Sequence, residues 1–152
     1  GNFTGRTQGG SNSDVLIADA FVKGLKGIDY EKALEAMITN AELDPGGAHQ
    51  LKGRGGLTEY NSLGYVSTNH ERAGSRTVEY AYNDYCIYQV AKGLGKKHIA
   101  AKYLERSGNW KNLFKPLEDH GAIRFIMPKK ANGEWDKEED INAYVKIIPP
   151  GG

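Results

Sequence analysis

The stretch from Ser75 to Gly95 constrains the fold of this chain more than any other segment. Apolar and aromatic residues recur in it at steps of three and four, which predicts a helix with one buried stripe. Ser75 suits the N-cap, and the glycines at 93 and 95 suit the end of the helix. The predicted stripe comprises Val78, Ala81, Tyr82, Tyr85, Cys86 and Val90, widened by Tyr80 and Tyr88. So wide an apolar surface favours a helix with partners on most sides, as in the inner layer of a helical barrel.

Three polar residues interrupt this apolar helix, namely Glu79, Asn83 and Asp84. Glu79 and Asn83 are four residues apart, so they lie on one face of the helix. Polar groups on a largely buried helix need hydrogen-bond partners, or else they line a cavity. The pattern therefore predicts either a buried polar network or a cavity beside this helix.

The composition bounds the possible classes of protein. A length of 152 residues allows one domain with a real core, and the net charge of +1 gives no strong attraction to nucleic acid or anionic membranes. No apolar run approaches the ~20 residues of a membrane span, and no signal peptide is visible. A single cysteine, Cys86, excludes an internal disulfide. The chain starts at Gly1 rather than at a methionine, which favours a fragment or a processed product.

The remaining pattern is mainly helical, with a β-hairpin near the C-terminus. Alternation at Ile123, Phe125 and Met127, followed by the turn dipeptide Asn132-Gly133, predicts that hairpin. Further helices are predicted from Asn12 to Leu25, from the N-cap Asp29 to Pro45, near Leu57 to Leu63, and from Lys96 to Ser107.

Candidate chemistry is sparse. The loop Gly53-Arg54-Gly55-Gly56 has two interpretations: a guanidinium held on a loop where a ligand approaches closely, or a tight turn with a solvated arginine. The four histidines lie far apart, with no metal-ligand spacing. Carboxylates that can supply acid and base groups for glycoside cleavage are Asp14, Asp19, Glu59, Glu79 and Asp84. Asp14 also has a structural explanation, because a carboxylate in the first turn of a helix interacts favourably with the helix dipole.

Four segments, taken in order and spacing, carry a family resemblance. They are GNFTGRTQGGSNSDVLIADAFVKGLKGIDYEKALEAM, GRGGLTEYNSLGYV, SRTVEYAYNDYCIYQVAKGLG and YLERSGNWKNLFKP. Together they resemble glycoside hydrolase family 92, which comprises calcium-dependent exo-acting α-mannosidases. The resemblance runs from Gly1 to about Pro116, and residues 117–152 diverge into a hairpin and a tail. It implies that residues 1–152 form a single segment of a larger catalytic domain, a partial (α/α)6 barrel built from helical hairpins.

The resemblance also implies a division of roles within the parent enzyme. Family members hydrolyse the bond with inversion of the anomeric configuration. A glutamic acid protonates the leaving oxygen, an aspartate base activates water, and calcium helps to distort the mannose ring. The motifs that carry these groups (Glu-Gly/Ser-x-x-Trp, Asn-Asp-Asp and Asn-Glu-Pro) are absent from this sequence. We therefore assign no catalytic residue and no metal ligand to the chain, and expect it to bind no calcium by itself. The substrate-binding or supporting residues that the resemblance gives are Asp14, Arg54, Glu59 and Glu79.

The expected function is that of one part of an exo-acting, inverting α-mannosidase, with α-1,2 linkages of mannose-terminated glycans as the expected substrate. As an isolated chain it is expected to be inactive. The alternative is a non-catalytic helical module that binds sugar or protein. Expected partners are the glycan and the remainder of the parent enzyme, meaning its β-sandwich domain and the rest of the barrel, with no nucleic acid and no membrane. The family resemblance implies a secreted or extracytoplasmic location.

Overall fold

A computed structural model describes residues 11–44, 53–116 and 124–136 of the chain. These residues form five α-helices, one short 3-10 helix and two short strands. The helices are α1 (Asn12–Val22), α2 (Tyr30–Glu42), α3 (Leu57–Leu63), α4 (Ala73–Gly93) and α5 (Lys97–Arg106). The 3-10 helix spans Asn109–Leu113, and the strands are β1 (Phe114–Pro116) and β2 (Arg124–Ile126). The prediction of a mainly helical chain with a small antiparallel hairpin is confirmed.

Helix α4 is the centre of the described fold, since α1, α2, α5 and the 3-10 helix all contact it. Its C-terminal half contributes Cys86, Ile87, Val90 and Ala91 to the main hydrophobic core. The remaining buried members of this core come from the helices around it: Ala18, Leu34, Met37, Ala41, Ala100 and Tyr103. Burial of these apolar side chains, at roughly 1.5–3 kcal/mol each for the larger ones, holds the helices together.

The predicted start and buried face of α4 are partly wrong. The helix begins at Ala73, two residues before the predicted cap Ser75, and follows Arg72 in the left-handed conformation (φ 59°). Val78, Tyr82 and Tyr85 are exposed by 37%, 53% and 40%, although they were predicted to lie in the buried stripe. Ala81, Cys86 and Val90 of the predicted stripe are buried as expected, so only the part of the stripe that carries Val78, Tyr82 and Tyr85 is uncovered by the described residues.

Helices α1 and α2 form a hairpin beside α4. Asp29 caps α2 as predicted, because its carboxylate accepts a hydrogen bond from the backbone N–H of Lys32 at 3.1 Å. Helix α1 ends at Val22 rather than Leu25, and α2 ends at Glu42, before the proline at 45. The hairpin presents its apolar side to α4 and its charged side to solvent.

A second, smaller core lies between α3 and the first half of α4. It comprises Leu57, Tyr60, Val66, Ala73 and Tyr80. Helix α3 is confirmed at its predicted bounds, and a left-handed glycine stands at each end of it. This core fixes the loop before α3 against α4, which is the loop that carries Arg54.

The C-terminal strands pair differently from the prediction. Strand β2 pairs antiparallel with β1, which precedes it in the chain, with Phe114 opposite Ile126, rather than with a strand after the turn at 132–133. The predicted turn at 132–133 does form, within a tight loop closed by a bridge between Lys129 and Trp135. The Lys129 ammonium lies 4.3 Å from the centre of the Trp135 ring. The predicted tail after residue 136 lies outside the described residues.

Candidate functional site

Arg54 is the centre of the candidate site, and its side chain is completely buried. Gly53 and Gly56 on either side of it have positive φ angles, so the loop turns sharply and directs the arginine inward. The Tyr80 hydroxyl of α4 donates to the carbonyl of Gly55 at 2.8 Å and holds the loop in place. A solvated arginine, one of the two sequence interpretations, is therefore wrong.

The guanidinium of Arg54 joins three elements that are distant in sequence. Its Nη1 donates to Asp84 Oδ1 at 2.6 Å and its Nη2 contacts Asp14 Oδ2 at 3.4 Å. Its Nε donates to the hydroxyl of Ser11 at 3.2 Å. Burial opposes the positive charge, but Asp84 and Asp14 outweigh that effect and raise the pKa of Arg54. The predicted residues Asp14 and Arg54 thus meet directly, and Asp14 is a partner in a buried ion pair as well as a first-turn acid.

Asp84 is the shared acceptor of two arginines. Arg106, at the end of α5, donates through Nε to Asp84 Oδ2 at 3.1 Å, and the Tyr60 hydroxyl donates to the same oxygen at 2.9 Å. The Nη1 of Arg106 then reaches Glu42 Oε1 at 2.6 Å, which is the partly exposed end of the series. We call the alternating series Arg54–Asp84–Arg106–Glu42 the ion-pair ladder. It connects the loop before α3 with α4, α5 and α2.

The other side of the site carries two buried polar atoms that have no hydrogen-bond partner among the described residues. Ser11 connects the residues concerned, since its backbone N–H donates to Asn83 Oδ1 at 2.8 Å and its hydroxyl donates to Asp14 Oδ2. Asp14 Oδ1 and Asn83 Nδ2 find no hydrogen-bond partner among the residues described here. Burial raises the pKa of Asp14, against the opposing effect of Arg54 and Ser11. An acceptor and a donor therefore stand unused next to the ladder.

Glu59 and Glu79 do not join this site. Both carboxylate oxygens of Glu59 are engaged, by the backbone N–H of Ser67 at 2.9 Å and the side-chain amide of Asn69 at 3.2 Å, and His70 lies 3.5 Å away. Burial raises the pKa of Glu59, but the bonds from Ser67 and Asn69 outweigh it and lower the pKa. Glu79 is half-buried on α4, and its side chain makes no hydrogen bond or ion pair with another described residue.

The described residues do not fit a calcium site. Within them there is no group of three or more His, Cys, Asp or Glu side chains that can hold a metal ion. The buried carboxylates Asp14 and Asp84 are instead neutralised by guanidinium groups. The chemistry that this geometry supports is recognition of a polar neutral group, rather than coordination of a cation.

An open groove runs along the uncovered face of α4. Its volume is about 390 Å³. It is lined by Val78, Ala81, Tyr82, Tyr85, Ser107 and Trp110, most of them apolar or aromatic. This face of α4 is therefore largely apolar and is not covered by the other described residues.

Comparison with known proteins decides the family. The model of the glycosyl hydrolase family 92 catalytic domain matches residues 1–146. This chain belongs to glycoside hydrolase family 92. The match confirms the resemblance carried by the four sequence segments.

Relatives of this family 92 chain include curated and solved proteins. An uncharacterized secreted glycosidase of Arthroderma benhamiae is 44% identical over 154 residues, covering 90% of this chain and 20% of that protein. An inverting family 92 mannosidase of Bacteroides thetaiotaomicron has 36% identity and a TM-score of 0.76, covering 88% of this chain and 17% of its own. A family 92 α-mannosidase of the same bacterium, solved with mannoimidazole, has 34% identity and a TM-score of 0.71, covering 85% and 15%.

The family 92 chain spans about a fifth or less of the length of these relatives. Among the described residues, no helix is long and apolar enough to cross a membrane. The curated relative carries the word secreted in its name. The described helices correspond to one part of the larger family 92 proteins that the chain matches.

Proposed function

We propose that this chain is one part of an exo-acting, inverting α-mannosidase, and that Asp14 and Arg54 help to bind the terminal sugar. The observation that carries the proposal is the buried ladder beside two unpartnered atoms, Asp14 Oδ1 and Asn83 Nδ2. A sugar hydroxyl both donates and accepts hydrogen bonds, so one hydroxyl can satisfy a carboxylate oxygen and an amide N–H together. The family 92 mannosidases with similar structures support mannose as that sugar.

The proposal places the chemistry outside this chain. Inverting hydrolysis needs an acid and a base roughly 6.5–9.5 Å apart, with room for water between them. Asp84 is buried, and its two oxygens accept bonds from Arg54, Arg106 and Tyr60, so this carboxylate is engaged in the ladder rather than placed to activate a water. The acid, base and calcium motifs of the family are absent from the sequence. We infer that the parent enzyme supplies them, and that the 152 residues alone have no turnover.

The open groove on α4 supports a second part of the proposal. The exposed residues Val78, Tyr82 and Tyr85 lie on a helix whose other sides are covered. We propose that the remainder of the parent enzyme, as the rest of an (α/α)6 barrel, covers this face. Secretion and a preference for α-1,2-linked mannose in glycans complete the proposed function. A helical module that binds sugar or protein without catalysis is the competing function.

The test measures release of mannose from α-1,2-mannobiose, with and without calcium. The protein is produced at the full length that its reading frame encodes, and the 152-residue chain is assayed beside it. We expect turnover in the former alone, and a higher KM in Asp14→Asn and Arg54→Lys. Asp19→Asn is the matched control, because Asp19 lies on the same helix as Asp14 but pairs with exposed Lys23.

Three results would contradict the proposal. An unchanged KM in both site variants would remove Asp14 and Arg54 from sugar binding. Turnover by the 152-residue chain that disappears in Glu79→Gln would make Glu79 a catalytic carboxylate. If the full-length protein binds mannosides without cleaving them, the non-catalytic module is the correct function.

A further inference from the structure

Arg106 occupies an unusual place for a residue at the end of a helix. Its side chain is only 14% exposed, and it contacts Asp84 on one side and Glu42 on the other. The rings of Tyr60 and Tyr103 lie 5.5 and 5.1 Å from its guanidinium carbon. Aromatic faces and carboxylates therefore hold this guanidinium in one orientation.

The charges of the buried site balance only when Arg106 is counted. Asp14 and Asp84 are two buried carboxylates, and Arg54 supplies one positive charge to both. Arg106 supplies the second positive charge, through Asp84 Oδ2. Without Arg106, one guanidinium faces two carboxylates in a region that excludes water, which is unfavourable.

The distances show how an imbalance would move Arg54. Its bond to Asp84 is short at 2.6 Å, whereas its contacts to Asp14 and Ser11 are longer, at 3.4 and 3.2 Å. Arg106 draws on the other oxygen of Asp84 and so limits the attraction of Asp84 for Arg54. Loss of Arg106 would strengthen that attraction and draw the guanidinium of Arg54 away from Asp14.

We propose that Arg106 is a positioning residue: acting through Asp84, it keeps the guanidinium of Arg54 oriented toward Asp14 and the unpartnered polar atoms beside it. This inference rests on the proposed sugar-binding function of Asp14 and Arg54. It extends the site to α5, a helix on which the sequence predicted no site residue.

A purely structural role for Arg106 is the competing explanation, since its bond to Glu42 ties α5 to α2. Lys102 provides the matched control. Its ammonium contacts the same Glu42 oxygen at 3.0 Å and lies 5.6 Å from the centre of the Tyr103 ring. Lys102 makes no ion pair with Asp84 in the described structure, so Lys102→Met weakens the α5–α2 connection and leaves the ladder beyond Arg106 intact.

The first experiment is a double-mutant cycle on kcat and KM for α-1,2-mannobiose, in the protein at the full length of its reading frame. We expect Arg106→Met to raise KM about 10-fold, because small displacements of binding groups have large kinetic effects. In an Arg54→Lys background the same change should alter KM by less than about twofold, because the affected group is already absent. Arg106→Lys retains one of the two ion pairs, so its KM should lie between those of the wild type and Arg106→Met. Lys102→Met should leave KM unchanged in both backgrounds.

The second experiment needs no turnover. In protein labelled with ¹⁵N-arginine, the Nε–H signal of Arg54 is assigned by its loss in Arg54→Lys. Its buried bond to Ser11 predicts slow exchange with water in the wild type and in Lys102→Met. Exchange should be faster in Arg106→Met. If that variant does not fold, Arg106→Lys takes its place in the experiment and should also exchange faster than the wild type.

The outcomes separate the two proposals. Additive effects of Arg54→Lys and Arg106→Met on KM, or an unchanged Arg54 signal in both Arg106 variants, would overturn the positioning role. Absence of mannose release by the wild type would overturn the proposed function, while the Arg54 signal would still decide whether Arg106 orients Arg54.

Discussion

Replacing Arg54 by methionine tests the energetic basis of the site. The change keeps an apolar chain of similar length and removes the charge that two buried carboxylates share. Removing one partner of a buried ion pair costs about 3–5 kcal/mol, because the other partner stays buried without compensation. Asp84 would keep Arg106 and Tyr60, whereas Asp14 would keep only the neutral side chains of Ser11 and Asn40 and no counter-charge from the ladder. We therefore expect Arg54→Met to lower the free energy of unfolding by about 4 kcal/mol at pH 7.

The loss should depend on pH with a definite sign. The pKa of Asp14 is already above its ordinary value of 3.8 in the folded protein because of burial, and losing Arg54 raises it further. The folded state then holds a proton that the unfolded state releases above pH 3.8, so the free energy of unfolding falls as pH rises. The destabilisation by Arg54→Met should therefore be smaller at pH 5 than at pH 7. Arg54→Met with Asp14→Asn should recover part of the loss, since no uncompensated carboxylate remains at position 14.

Hydrogen exchange of the α4 amides, followed by mass spectrometry, measures the free energy of opening this helix. Lys23→Met is the control, because its pair with Asp19 is exposed and such pairs contribute at most about 1 kcal/mol. If Arg54→Met lowers the free energy of opening α4 by less than about 1 kcal/mol, or by the same amount at pH 5 and pH 7, then Arg54 is not the counter-ion of buried carboxylates.

Four further predictions follow from particular contacts. Glu59→Gln should cost about 1 kcal/mol at pH 7; because the folded pKa of Glu59 is lowered, its contribution is complete above 4.5 and lost as pH falls, so melts of variant and wild type should converge at low pH. Gly93→Ala places a methyl group 2.2 Å from Phe21 Cε1 and should destabilise the protein by about 1–3 kcal/mol in thermal melts; an unchanged Tm would contradict the close approach. The 152-residue chain alone should bind hydrophobic dyes and associate, less so with Tyr82→Ser and Tyr85→Ser; a monomer that melts sharply and binds little dye would oppose this. Calorimetry on that chain should show no tight calcium site, and a micromolar site would overturn this expectation.

Local signals in the sequence predicted the helices well. Asp29 caps α2, and the glycines around α3 mark its ends, because capping depends on neighbouring residues alone. The buried face of α4 was predicted less well. Val78, Tyr82 and Tyr85 have the spacing of a buried stripe, yet which apolar face is covered depends on helices elsewhere in the chain.

The candidate site was only partly predictable for the same reason. Asn83 and Asp84 were visible as polar residues on an apolar helix, and the structure gives both a buried role. Arg106 carried no such signal, since a basic residue in the last turn of a helix is ordinary. Its partner Asp84 is 22 residues away, and Asp14 is 40 residues from Arg54, distances at which periodicity contains no information.

The central position of α4 has a consequence for synthesis on the ribosome. Helices α1 and α2 emerge before α4, but the core that covers their apolar side is completed by α4, whose end follows the end of α2 by about 50 residues. At 5–20 residues per second, the first hairpin waits roughly 3–10 s with that side uncovered. A nascent chain stalled before residue 73 should therefore recruit chaperones, and one stalled well beyond residue 93 should release them.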